Sequence, residues 1–315
     1  MGSYVLKRLF STIPVFIGLS LIVFLIMAMI PGNPAQALLG AWATPENVAR
    51  INRELGLNKP LYQQYLIWAG NILHGDFGRS YVLNRPVIDE VMERFSATLL
   101  LGGCALLLST VLGLLAGIFS AVRQFGWGDR IITLLVLLGI SMPSFWIGLL
   151  MIMLFAVQLQ WFPASGMYAV WGGGDVADLL HHLALPAVTL AIVATGVIAR
   201  LTRTAMLEVL RQDFIRTARA KGLPMRHIVL RHALRPAMLP VVSYLGPAFV
   251  GIITGSIVIE TIFGLPGIGQ LFVNGALNRD YGMVLSLTIL VGALTIAFNA
   301  VVDILYALID PKIRY

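Results

Sequence analysis

Charge is scarce in this chain. Of its 315 residues only 12% are Asp, Glu, Lys or Arg, while 58% are apolar. A soluble domain carries about 25% charged and about 45–50% apolar residues. So few charges cannot coat a fully hydrated surface, and a mean hydropathy of +0.86 points to lipid as the solvent for much of the chain. Cysteine is nearly missing too, since Cys104 stands alone in an apolar run. That excludes an intrachain disulfide and predicts a small buried hydrophobe. No CxxC, no HExxH and no clustered His set occur, so no metal site is expected. His181 and His182 are adjacent, and adjacent residues do not share a helix face. No GxxxxGK[ST] phosphate loop is present, nor any Gly-Lys pair, so the chain itself is not expected to hydrolyse ATP. The net charge of +7 would suggest nucleic acid in a soluble protein. In a membrane protein it asks instead which loops carry the charge, and no nucleic-acid partner is expected.

Long apolar runs are what the chain has. A membrane-spanning helix needs about 20 mostly apolar residues. Six segments qualify: Leu9–Ile30, Ser96–Val122, Arg130–Val157, Leu185–Met206, Leu239–Ile262 and Met283–Ile309. The expected class is therefore all-α, a polytopic membrane protein with six transmembrane helices. The first run exceeds the about 7–15 residues of a signal-peptide core, so it is expected to stay as a helix. With the N-terminus inside, 15 of the 22 Lys and Arg fall in cytoplasmic pieces, nine of them between Arg200 and Arg235. The loop at 158–184 has none, and the one at 263–282 has only Arg279. The positive-inside rule thus predicts that both termini are cytoplasmic. Arg200 and Arg203 are expected to reach the interface along their own stems.

The loop at 31–95 holds structure of its own. Thr44-Pro45 reads as an N-cap with proline in the first turn, and Gly56 reads as a helix stop. Val48, Ile51 and Leu55 share one face. A second helix is expected from Leu61 to about Leu73, with Leu61, Tyr65, Leu66, Trp68 and Ile72 on its apolar side. Residues 86–95 read as an amphipathic lead-in to the second span. The loop either ties two spans together or offers a docking surface to an external partner. Two small-xxx-small pairs, Gly113/Gly117 and Gly251/Gly255, allow close helix approach, within the subunit or between subunits.

The most basic stretch is DFIRTARAKGLPMRHIVLRHALRPAMLP, Asp213 to Pro240. Asp213 can start a helix and Gly222 can end one. The enclosed helix is too short to persist alone in water, so it must pack on something. Thr217, Ala218 and Ala220 make its centre small, while Arg216, Arg219 and Lys221 stay wet. Pro224 suits the start of a second helix over 225–235, with Ile228, Leu230 and Leu234 on its apolar side and Pro236 interrupting it. Two helices around a Gly-x-Pro corner form a protruding elbow. A plain basic loop on anionic headgroups is the alternative, but headgroup attraction does not need a shaped corner.

These residues resemble the EAA loop of ABC importer permeases, in particular the dipeptide, oligopeptide and nickel branch. The resemblance runs through nearly the whole chain. It includes PGNP (Pro31–Pro34), LGLNKPLYQQY (Leu55–Tyr65), GDFGRSY (Gly75–Tyr81), SMPSFW (Ser141–Trp146), ETIFGLPGIGQL (Glu260–Leu271), NRDY (Asn278–Tyr281) and VDILYALIDPKIRY (Val302–Tyr315). Asn33 stands where an Asp is common, and Pro236 where an Asn is common.

The resemblance implies a type I ABC importer permease fold in the bacterial inner membrane. The implied division is an N-terminal segment with the first span at 1–30, a periplasmic subdomain at 31–95, and a permease core at 96–315. A cytoplasmic coupling loop lies at about 207–238 within that core. It implies two cytoplasmic ATPase subunits that bind ATP and Mg, a homologous second permease and an external solute-binding protein. It assigns the coupling contact to Asp213, Phe214, Thr217, Ala218, Arg219, Ala220, Lys221 and the bend at Gly222. Candidates for the pathway or gate are Glu260, either an external gate or a structural partner for a neighbouring loop, and Ser141, Pro143, Ser243 and Ser256, which line a polar channel or serve helix packing, with Asp303 expected to be structural. The substrate class it implies is short peptides, with nickel or metal chelates and glutathione as alternatives. A secondary transporter or channel would instead show charged pairs or broken helices at the midplane.

Overall fold

The computed structural model of the chain describes residues 2–29, 34–54, 56–80, 82–169, 174–278 and 280–309. Several residues named above lie outside these: Pro31, Gly32, Asn33, Leu55, Tyr81, Arg279, Lys312 and Arg314. The side chain of Asp303 lies outside them as well. The described residues are almost wholly helical, with one isolated bridge between Arg79 and Pro86. In order the helices are α1 (Gly2–Met29), α2 (Pro34–Leu39), α3 (Pro45–Glu54), α4 (Leu61–Leu73), α5 (Val87–Val122), α6 (Trp127–Ser141) and α7 (Ser144–Met151). Then follow α8 (Val176–Leu210), α9 (Asp213–Ala220), α10 (Met225–His227), α11 (Leu234–Ala237), α12 (Leu239–Ile262), α13 (Ile268–Leu277) and α14 (Tyr281–Ile309). Turns of π-helix extend α7 over Ile152–Gln158 and join α10 to α11 over Ile228–Ala233.

Four helical stretches are long and apolar enough to cross a membrane: α5, α8, α12 and residues 282–302 of α14. The α6–α7 pair makes a fifth if it is one bent span. In α1 the described apolar stretch is Thr12–Ile26. Over Arg130–Val157, where one span is expected, α6 and α7 are bent by 108°. The cause is local. Pro143 has no N–H to offer the helix and pushes Met142 into extended backbone at φ −95°, ψ 137°. Both pieces nevertheless lie along α8 in one antiparallel order. Asp129 meets Arg203, Gly139 abuts Ile192, and Gly148 abuts Thr189.

The chain divides into two compact units. One contains residues 2–96 and 267–296. The long first loop therefore does not stand by itself but clusters with α1, α13 and the first part of α14. Within that loop α3 has the expected caps. The Asn47 N–H donates to Thr44 Oγ1 at 3.3 Å, and Gly56 takes φ +68° while the Leu57 N–H closes on Asn52 O at 2.8 Å. α4 rests on α1 through Tyr65 and Trp68, whose rings lie 5.5 and 5.6 Å from Phe24, and Tyr65 also shares a 2.9 Å hydrogen bond with Ser20. Leu61 and Leu66, expected on that face, are exposed, since the stripe that packs is narrower than the apolar run. Val87, Val91, Ile268, Leu271, Met283 and Leu287 form this unit's core. Ser80 hydrogen-bonds to Asp280, whose carboxylate also accepts the N–H of Met283 at 3.2 Å and so caps α14. Ser286 Oγ donates to Phe77 O at 2.5 Å.

The other unit contains 97–266 and the chain from 297 onward. α8 is its axis. A Cβ on Gly113 would come within 2.7 Å of Ile198, and one on Gly117 within 2.6 Å of the Ala199 carbonyl. The first glycine pair therefore lets α5 approach α8 inside the subunit. Gly251 has nothing within 4 Å of the same position. The end of α14 packs on α12, where Phe298 stacks on Phe249 at 3.8 Å. The two adjacent histidines have different partners, though their rings lie 6.3 Å apart edge to face. His181 Nε2 lies 2.8 Å from Trp161 O, while His182 is buried beside Asp178.

Candidate coupling elbow and pathway residues

The elbow begins at α9. Asp213 is its first residue but caps no N–H; Gln212 holds the cap position without a side-chain bond. Asp213 instead accepts from Arg216 Nη1 at 3.2 Å and, through its carbonyl, from Thr217 Oγ1 at 3.0 Å. The helix is anchored by two residues. Ile215 is fully buried and Ala218 is 7% exposed, packed among Ala121, Met206, Val209, Ile228, Val229 and Ala233. Spaced i, i+3, they put one narrow stripe inward and hold a helix too short to stand alone.

Of the residues expected at the coupling contact, Ala218 is packed against its own chain. Phe214, Arg216, Thr217, Arg219, Ala220 and Lys221 are exposed. Gly222 turns the chain at φ +75°, its N–H bonded to Arg219 O at 2.9 Å, and open space surrounds its missing Cβ.

The second limb also differs from expectation. Pro236 does not interrupt it; helix continues over α11 and runs on through Met238 into α12. The accommodation lies upstream. Pro236 cannot donate to the His232 carbonyl, and the backbone over Ile228–Ala233 relaxes into π turns. Their five-residue spacing rotates the buried face to Ile228, Val229 and Ala233, leaving Leu230 53% exposed.

A polar cluster braces the elbow's root. Arg203 Nε and Nη2 each donate to Asp129 at 2.9 Å, and Nε also reaches Ser120 Oγ at 3.0 Å. Asp129 further accepts the Phe125 N–H at 2.9 Å and bonds with Ser120. This fork ties the α5–α6 hairpin to α8 ten residues before α9 begins. Sequence reasoning read Arg203 as an interfacial cation and did not single out Asp129. The available signal was that Asp129 is the one acid in its short hairpin, which says nothing about which cation it meets.

The pathway candidates fall in two places, Ser256 and Glu260 one turn apart on α12 and Ser141 and Pro143 at the α6–α7 break. Glu260 is 1% exposed and accepts from Thr98 Oγ1 at 2.7 Å. Ser256 is equally buried and donates to Ile253 O of its own helix at 2.8 Å. Both are sealed within the chain's own packing. Ser141 and Pro143 are exposed at the α6–α7 kink. The open side of α12 is formed by the candidate Ser243 with Pro247, Gly251 and Thr254, and its two hydroxyls are satisfied by backbone carbonyls one turn back.

Comparison with known proteins bears on what this arrangement is for. Residues 113–315 match the family described as binding-protein-dependent transport system inner membrane component, and residues 1–102 match the corresponding N-terminal membrane-component family. The oligopeptide transport system permease OppB of Escherichia coli strain K12 is 51% identical over 316 residues, covering 100% of both chains. The oligopeptide permease AppB of Bacillus subtilis is 40% identical over 323 residues, again covering 100% of both. The dipeptide permease DppB of E. coli K12 is 40% identical over 337 residues, covering 100% of this chain and 99% of that one. Among solved structures, the inward-facing MetNI methionine ABC transporter superposes with a TM-score of 0.59 over 71% of this chain and 97% of its own. Its 18% identity makes that likeness one of fold. Matched by family models at both ends and by full-length relatives throughout, the chain belongs to the binding-protein-dependent transport system inner membrane component family.

Proposed function

We propose that this chain is the transmembrane permease subunit of an ATP-driven, binding-protein-dependent importer of oligopeptides. The observation that carries the reading is the elbow: a helix of about two turns pinned by Ile215 and Ala218, with its remaining side chains turned outward. A structure held at its root and bare at its surface is suited to seat in another protein and transmit force. In this reading α9 docks on a cytoplasmic ATPase, with Phe214, Thr217 and Ala220 in contact, Arg219 and Lys221 at the polar rim, and Gly222 as the bend. Two ATPase subunits bind the ATP and Mg, since the chain has no phosphate loop.

The chain crosses the inner membrane six times, with both termini in the cytoplasm. A homologous second permease supplies the other half of the pathway. The exposed side of α12, small and lightly polar, is the half contributed here. An external solute-binding protein docks on the first loop. Relatives named for oligopeptide and dipeptide transport support peptides over nickel chelates or glutathione. The test is uptake into vesicles holding the permease pair, with ATPases inside and binding protein outside. Labelled oligopeptide should accumulate with ATP. Accumulation of a nickel chelate or glutathione without peptide uptake would overturn the substrate.

A further inference from the structure

Two apolar stretches mark a common depth within the unit of residues 2–96 and 267–296. The run Leu9–Ile30 has its midpoint at Leu19-Ser20, and the stretch Gly282–Val302 of α14 has its midpoint at Gly292. The two midpoints touch, since a Cβ on Gly292 would strike Leu19. If both stretches cross a bilayer, Ser20 lies near its centre. Phe24 lies one turn nearer the end of α1 that leads into the first loop. α4 belongs to that loop, yet it meets α1 at these two residues. Tyr65 shares its 2.9 Å hydrogen bond with Ser20, and the rings of Tyr65 and Trp68 lie 5.5 and 5.6 Å from Phe24. Phe24 is six residues short of Ile30, about 9 Å at 1.5 Å per residue. α4 is therefore held below the rim of the hydrocarbon layer. Its composition fits that depth. Leu61–Leu73 contains no Asp, Glu, Lys or Arg, whereas α3 in the same loop carries Glu46, Arg50, Arg53 and Glu54. Tyr62, Leu66 and Leu73 share a stripe beside the one that packs on α1, and Leu66 and Leu73 are 64% and 80% exposed. The two glutamines of α4 are bonded within the chain. Gln63 Nε2 donates to the Tyr62 hydroxyl at 3.1 Å, and Gln64 Nε2 donates to the carbonyls of Leu57 and Lys59 at 3.1 and 2.7 Å. Polar groups in lipid must find their partners inside the protein.

We propose that α4 is an in-plane membrane helix, seated in the leaflet on the loop's side with its Tyr62–Leu66–Leu73 stripe against lipid acyl chains. Interfacial helices bury their apolar faces about 5–10 Å below the headgroup boundary, and Phe24 sets a depth in that range. A water-soluble partner does not reach a stripe at this level, so lipid is the occupant. The charged α3 is left to face water and whatever docks from it. The inference rests on α1 and α14 crossing the membrane, not on what is transported.

The test places nitroxide labels on the assembled transporter in liposomes, without binding protein, in a Cys104→Ala background. Three single variants are compared: Leu66→Cys on α4, Leu21→Cys on the exposed side of α1, and Glu46→Cys on α3. Dissolved oxygen concentrates in hydrocarbon, while the chromium oxalate anion stays in water. The ratio of oxygen to chromium oxalate collisions should be several-fold higher at Leu66 than at Glu46, and should match that at Leu21. A ratio at Leu66 equal to that at Glu46, with Leu21 still favouring oxygen, would overturn the proposal and leave an aqueous docking face. An immobilised Leu66 label shielded from both reagents would overturn it too, because a protein surface such as the second permease would then cover the stripe. A Leu21 label reached first by chromium oxalate would remove the spanning reading of α1, and the proposal with it.

Discussion

Residues that look alike in the elbow have opposite duties. Ala218 and Ala220 both read as small centre positions, yet Ala218 is packed inside and Ala220 lies outside. Ala218→Trp would overfill a closed site, an error that costs about 1–3 kcal/mol or more, and should lower the amount of folded permease in the membrane. Ala220→Trp should leave folding intact and block seating on the ATPase, so peptide uptake falls to background at normal permease levels. Immunoblots and uptake assays on the two variants separate these outcomes, and equal permease levels for both would sink the distinction. Gly222 is different again. Its positive φ costs a side chain about 1–2 kcal/mol, but there is room for a Cβ. Gly222→Ala should therefore assemble and import slowly, not fail to fold. Asp129→Ala strands the Arg203 guanidinium. Breaking a fully buried pair costs about 3–5 kcal/mol, and because Arg203 is 30% exposed the loss here belongs at or below the lower end of that range. A clear drop in detergent melting temperature is expected, and an unchanged one would show the fork to be ornamental.

Helices show what could be read from the sequence and what could not. α12 has the limits that hydropathy predicts, and α3 starts and stops where its Thr-Pro and Gly signals place it, because those features are written in consecutive residues. The α6–α7 kink was signalled by Pro143, but an unbroken apolar run hides a corner whose cost is absorbed by packing on α8. The reach of Ser80 to Asp280 and of Asp129 to Arg203 cannot be read at all, since neither partner's neighbours mention the other. The glycine pairs make the same point testable. Gly117 and Gly251 sit in equivalent small-xxx-small patterns, yet a side chain at Gly117 would strike the α8 backbone and one at Gly251 would strike nothing. Gly117→Leu should reduce the folded subunit itself. Gly251→Leu should leave the subunit folded and, on the reading of α12 as the pathway face, lower only peptide uptake. A folding defect from Gly251→Leu would remove the ground for treating that side of α12 as open.

For the molecule as a whole the deciding quantity is which side each loop occupies. The charge asymmetry is strong, with nine cations between Arg200 and Arg235 and none from 158 to 184. The long first loop, balanced at six cations and six acids, gives no vote of its own. Its side follows from the parity of the spans between it and the elbow, and parity depends on counting α6 and α7 as one crossing. Replacing Cys104, which sits within α5 against the core, by Ala leaves a chain free of thiols. Single cysteines can then be placed at Thr217 on the elbow and Glu46 on α3, both exposed. An impermeant maleimide added to intact spheroplasts should label the Glu46→Cys protein and spare the Thr217→Cys protein, and inverted vesicles should give the reverse. If α6 and α7 instead formed a re-entrant hairpin returning to its own side, the count between the two sites would change by one and both cysteines would label from the same side. One pair of labelling reactions thus tests the topology and the single bent span together.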